Sequence, residues 1–67
     1  MDIKINLAAV RVNTGMTQKE WADALTVDLS TVTNWEKGKS EPTWSKLRKM
    51  SELSGIPIDF IFVPNRS

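Results

Sequence analysis

Two stretches of helix length lie almost end to end near the middle of this chain. One reads TQKEWADAL over 17–25, the other DLSTVTNWEK over 28–37. Each has its own start signal. Thr17 followed by Glu20 forms a capping box, in which the hydroxyl accepts from the backbone N–H near Glu20 while the carboxylate reaches back. Asp28 stands where it can cap the second stretch, and it places a negative charge at that helix's positive end. Only two or three residues around Thr26-Val27 separate the two stretches. A connection that tight forces the two helices to cross steeply.

The remaining segments are short and well punctuated. The start, MDIKI, alternates in polarity like a strand. Asn6 can cap a helix running to about Thr14, with Leu7, Val10, Arg11 and Thr14 on one face and Gly15 as its stop. In the next helix Trp21, Ala24 and Leu25 share a face, flanked by Ala22, which is small enough for another helix to come close. Gly38 ends the helix after that. Pro42 and Thr43 open TWSKLRKMSELSG, where Trp44, Leu47, Met50 and Leu53 recur every third position, and Gly55 stops it. The apolar run IPIDFIFVP holds a short helix, a strand, or one then the other. The expected fold class is all-α, a compact bundle of about five helices forming one domain over 1–67. The ends, DIKI and FIFV, can add a short pair of antiparallel strands. Two strands alone are marginal, so they need the helices or a second subunit behind them.

Composition removes several functions. With no cysteine and no histidine, the chain can form no disulfide, no Cys/His zinc site and no Ser/His or Cys/His catalytic pair. No enzyme activity, cofactor or small-molecule ligand is indicated. The chain begins with Met, shows no charged-then-apolar leader and has no apolar run near the roughly 20 residues that span a bilayer. The expected location is cytoplasmic. The net charge of +1 is not that of a non-specific nucleic-acid binder. A core this small rarely supplies more than roughly 3–5 kcal/mol, so support from a partner subunit fits. Trp21, Trp35 and Trp44 are read as core, with Trp44 at a helix start and able to reach the surface.

The 28–37 stretch has an unusual outer face. At 100° per residue, with Val32 facing in, Trp35, Asp28, Glu36 and Leu29 fall within about 60° of it. The opposite face carries Ser30, Thr33 and Asn34, with Thr31 on its flank. Two readings are open. Any surface helix shows polar residues to water. But Glu, Lys and Gln propagate a helix better than Ser, Thr and Asn, and short uncharged donors and acceptors suit a helix lying deep in a DNA major groove. There Asn can pair with adenine in a bidentate way, and a Thr methyl can touch a thymine methyl.

At this point TQKEWADALTVDLSTVTNWEKGKSEP resembles the helix-turn-helix family of lambda-type phage repressors and Cro proteins (XRE-like regulators). The likeness runs from about Leu7 to Phe60 and is strongest at TQKEWA, STVTNWEKGK and Pro42. It implies a bundle of about five helices that binds double-stranded operator DNA as a homodimer, with the recognition helix at about Leu29–Lys37. It also implies site residues. Gln18 matches a phosphate-contacting position whose amide can also reach the start of the recognition helix. Leu29, Ser30, Thr33 and Asn34 match base-reading positions. Lys39, and groups near Thr43, match backbone-contacting positions, which set register. With Thr17 at the cap and Thr31 on the flank, these form the candidate DNA-binding set.

Three departures accompany the likeness. Thr26 occupies a turn position that often holds Gly. Leu29 replaces a polar or Arg residue, and either packs on a thymine methyl or joins the core. The reading face has no Arg or Lys, so a bidentate Arg–guanine contact is not expected. Arg11 and Glu36 both fall on inward faces and should pair, as matching positions in the family do. The competing reading is a protein-interaction module that keeps the fold without binding DNA. An antitoxin or a restriction-modification controller would share the same sequence features.

Overall fold

A computed structural model of the protein describes residues 4–62. Four α-helices, α1 (Leu7–Asn13), α2 (Gln18–Leu25), α3 (Leu29–Lys37) and α4 (Trp44–Ser54), are followed by a single 3-10 turn, Ile58–Phe60. The expected fifth helix is therefore reduced to one turn. Pro57 fixes its entry, and Ile61 has already turned extended at φ −92 and ψ 121, which leaves no room for more.

Local capping explains most helix starts. The Asn6 side chain accepts from the Ala9 N–H at 2.8 Å. Thr17 Oγ1 accepts from the Glu20 N–H at 3.1 Å, and Glu20 Oε1 accepts from the Thr17 N–H at 2.8 Å. The Thr43 hydroxyl accepts from the Lys46 N–H in a longer bond of 3.4 Å. Asp28 does stand at the cap position of α3, but its side chain makes no cap bond, contrary to expectation. Its backbone carbonyl takes the Thr31 and Val32 N–H groups instead, at 3.0 and 3.3 Å. The residue is exposed, so its carboxylate stays hydrated while its charge still lies near the helix's positive end.

The helix ends show what the tight turn demands. α3 closes in the Schellman pattern: the Lys39 N–H bonds the Asn34 carbonyl at 2.9 Å and the Gly38 N–H bonds that of Trp35 at 3.2 Å. Gly38 takes the left-handed conformation this requires, at φ 77. α2 closes in the same way, with Val27 N–H on Ala22 O at 3.0 Å and Thr26 N–H on Asp23 O at 3.2 Å. Here the left-handed residue is Thr26, at φ 59 and ψ 47, and no other non-glycine described residue has positive φ. A Cβ in this region costs about 1–2 kcal/mol. Glycine would relieve that at an entropic cost of about 0.5–1 kcal/mol. Thr26→Gly should therefore stabilise the protein by up to about 1 kcal/mol, raising its melting temperature by a few degrees. A thermal melt of the two proteins checks this, and a lower melting temperature for the glycine variant would refute it.

The core joins Leu7 and Val10 of α1, Trp21, Ala22 and Leu25 of α2, Val32 and Trp35 of α3, and Leu47 and Met50 of α4, closed by Ile56 and Ile61. Ala22, not Ala24, is the buried small residue, because α2 packs against both α3 and α4 and its covered face is wider than one stripe. Trp21 and Trp35 are core as expected. Trp44 is 55% exposed. It has the right helical phase but is the first residue of α4, a turn ahead of the first buried position, Leu47.

The chain ends meet as well. Ile5–Asn6 (β1) pairs with Ile61–Phe62 (β2) over two residues each, in register Ile5↔Ile61 and Asn6↔Phe62. The pairing is parallel, which corrects the antiparallel expectation and is too short to make a sheet of its own. Orientation depends on where four intervening helices deliver the chain, and local alternation carries no record of that. The rest of the expected strands, residues 1–3 and Val63, lies outside the described residues. The Lys4 ammonium donates to the Asp59 carbonyl, a second tie between the same ends.

Candidate nucleic-acid interface

α3 is anchored from beneath by Val32 and Trp35, 0% and 5% exposed. With that face fixed, Ser30 is exposed and Thr31, Thr33 and Asn34 are partly exposed. Leu29 is 47% exposed, which overturns the alternative that placed it in the core. The Thr33 hydroxyl donates to the Leu29 carbonyl at 3.1 Å. Its proton is thereby occupied, leaving an acceptor oxygen and a methyl to offer outward. Ser30 and Asn34 make no side-chain hydrogen bond to any described residue, so their full capacity remains available.

A polar cluster holds α3 to its neighbours. Arg11 Nε donates to Glu36 Oε2 at 2.7 Å and Arg11 Nη2 to Oε1 at 3.3 Å, while Nη1 donates to the Met16 carbonyl at 2.9 Å. The pair is well covered, with the two side chains 16% and 9% exposed. Gln18 Nε2 adds a third bond to the same carboxylate, on Oε1 at 2.9 Å. The Gln18 amide thus reaches the last turn of α3 and not its start, as had been expected. The crossing of α2 over α3, which the length of the turn does not fix, brings the start of α2 within reach of Glu36. One amide proton and the amide oxygen of Gln18 remain for an outside partner.

The other candidates sit at helix boundaries. The Thr17 hydroxyl is an acceptor inside the capping box, and its proton stays available. Lys39 is exposed, and its backbone is tied to Asn34 by the bond that closes α3. Thr43 is exposed; its hydroxyl bonds the Lys46 N–H and the Ser45 hydroxyl, the latter at 3.2 Å. Thr43 is joined to no other candidate. Among the described residues no group of His, Cys, Asp and Glu could hold a metal ion, and no helix is long and apolar enough to cross a membrane.

A model of the helix-turn-helix family matches residues 7–61, from the first residue of α1 into β2. This chain belongs to the helix-turn-helix family. This helix-turn-helix protein is also similar to a curated protein of Haemophilus influenzae (strain ATCC 51907 / DSM 11121 / KW20 / Rd) described as an uncharacterized HTH-type transcriptional regulator. The two are 40% identical over 42 residues, covering 63% of this chain and 18% of the relative. The chain thus spans under a fifth of that relative's length. No solved structure gives a significant match.

One positioning contact of this helix-turn-helix protein had no sequence signal. The Lys46 ammonium of α4 donates to the Leu25 carbonyl at the end of α2, at 2.7 Å and 21 residues away in the chain. Lys46 reads locally as one more surface lysine of an amphipathic helix. Only the packing of α4 beside α2 shows its target.

Proposed function

We propose that this helix-turn-helix protein is a sequence-specific DNA-binding transcriptional regulator of the Cro/repressor kind, of phage or prophage type, acting as a single domain over 1–67. The observation that carries this reading is the outer face of α3. Immediately after the turn it presents Leu29, Ser30, Thr33 and Asn34 clear of the core, short and uncharged, on a helix locked to the bundle from beneath. The HTH-type regulator named above supports it.

In this reading α3 lies in the major groove. Asn34 pairs with an adenine through both its donor and its acceptor. Ser30 bonds a base edge, and the Leu29 side chain and Thr33 methyl pack on thymine methyls, with Thr31 at the groove wall. Thr17, Gln18, Lys39 and Thr43 hold phosphates and set register. Phe60, 51% exposed beside β2, gives a second copy an apolar anchor. A dimer would then span half-sites about 34 Å apart. Sedimentation showing monomer alone, free and on DNA, would rule out the dimer.

Selection of genomic fragments at graded salt, followed by sequencing of those retained, tests the reading. One shared sequence should be enriched. Lys39→Ala should weaken every sequence alike and lower the salt slope by about one. The rival reading, a protein-interaction module, draws on exposed Leu29 and the net charge of +1. It predicts no enrichment at any salt.

A further inference from the structure

The Leu25 carbonyl belongs to the peptide that joins α2 to Thr26. The plane of that peptide is set partly by the φ of Thr26, the strained left-handed residue of the turn. The carbonyls of Ala22 and Asp23 are already taken by the Val27 and Thr26 N–H groups. α2 has no basic residue in its own last turn to interact with its negative end. Lys46 supplies that charge from α4, in a short, partly buried, charge-assisted bond to Leu25.

We infer that Lys46 is a positioning residue, a clamp that holds the Thr26 turn in its left-handed form and so sets the angle of α3 against α2. The argument is energetic. Thr26 gains by leaving the left-handed region, and leaving it would rotate the Leu25–Thr26 peptide away from the ammonium. The clamp opposes that relaxation. Without it the turn relaxes and the reading face tilts, although the Lys46 ammonium bonds the Leu25 carbonyl and no described residue of that face. Glycine at 26 has no Cβ strain to release by leaving the left-handed region, so a Thr26→Gly chain does not rely on the clamp to hold the turn.

This dependence on residue 26 separates a clamp from a simple surface cation. The consequence for DNA rests on the function proposed above, but the consequence for the turn does not, so the experiment has two arms. In the first, amide hydrogen exchange is followed by NMR at Val27, whose N–H closes the turn on Ala22 at 3.0 Å, with the Met50 amide as core reference. Lys46→Met, which keeps the apolar stem, should speed Val27 exchange about tenfold relative to the core. In the Thr26→Gly background it should leave that ratio unchanged. Lys46→Gln gives the same comparison should Lys46→Met not fold. Equal acceleration at Val27 and Met50, or the same acceleration in both backgrounds, would overturn the proposal.

In the second arm Lys46→Met should weaken binding to the enriched DNA about tenfold with the salt slope unchanged. Adding Thr26→Gly should restore the affinity. A slope lower by about one without restoration would make Lys46 a phosphate contact and overturn the clamp. If the parent protein enriches no DNA, the functional reading fails while the exchange arm still decides the clamp.

Discussion

Glu36→Ala should destabilise this protein by about 3 kcal/mol, because removing one partner strands the other as a covered charge. Glu36 accepts from Arg11 twice and from Gln18 once. After its loss the guanidinium keeps, among the described residues, only the Met16 carbonyl, in a site where the pair is 16% and 9% exposed. Domains of this size have only about 5 kcal/mol to lose, so about 2 kcal/mol would remain and a few per cent of the protein would be unfolded at about 25 °C. Arg11→Met should cost a similar amount. The double variant Arg11→Met/Glu36→Leu should be far milder than the sum of the two, since neither charge is then left without a partner. Urea melts of the four proteins complete the cycle. Single variants within about 0.5 kcal/mol of the parent would show that the pair contributes no more than an exposed surface ion pair.

Asn34→Ala should do the opposite, leaving the fold intact and weakening the proposed DNA binding. The Asn34 side chain bonds no described residue, and alanine is the better helix former, so the melting temperature should hold or rise slightly. Binding to the preferred DNA should weaken by about 1–3 kcal/mol, roughly a factor of 5 to 150, with preference relaxed at one base position. Anisotropy titrations against the preferred site and its single-base variants measure both effects. Unchanged affinity and unchanged preference would mean that another face reads the DNA, or that DNA is not the partner. Glu36→Ala should fail through the fold and Asn34→Ala through the candidate interface, so the pair of variants separates the scaffold from the candidate reading face.

Much of this architecture is legible in the sequence because its causes are local. The caps at Asn6, Thr17 and Thr43 join atoms three residues apart, a distance any helix start imposes. The tight turn follows from the number of residues between Leu25 and Leu29. Trp21, Val32 and Trp35 go inward because helical phase selects one face, and the same phase brings Arg11 and Glu36 to matching sides of α1 and α3. The candidate reading face is the remainder: once Val32 and Trp35 are buried, Ser30, Thr33 and Asn34 must point away.

What only the tertiary structure decided are quantities set between elements far apart in the chain. Phase gives direction but not depth, so it could not tell Ala22 from Ala24 or show that Trp44 overhangs the core. Alternation marks a strand but not its sense, which four helices determine for β1 and β2. The capping residue Asp28 was identifiable by position, yet whether its carboxylate bonds the helix or water depends on how exposed the site is. Gln18 found the far end of α3, and Lys46 found the last carbonyl of α2, because helix crossing and packing set where a long side chain ends. By itself the sequence determined which residues form the four α-helices and which face of each is apolar, since those follow from bonds within one or two turns, but not that the expected fifth helix shrinks to a single 3-10 turn. The fold alone decided which polar side chains meet across helices, because that depends on distances that no local pattern encodes.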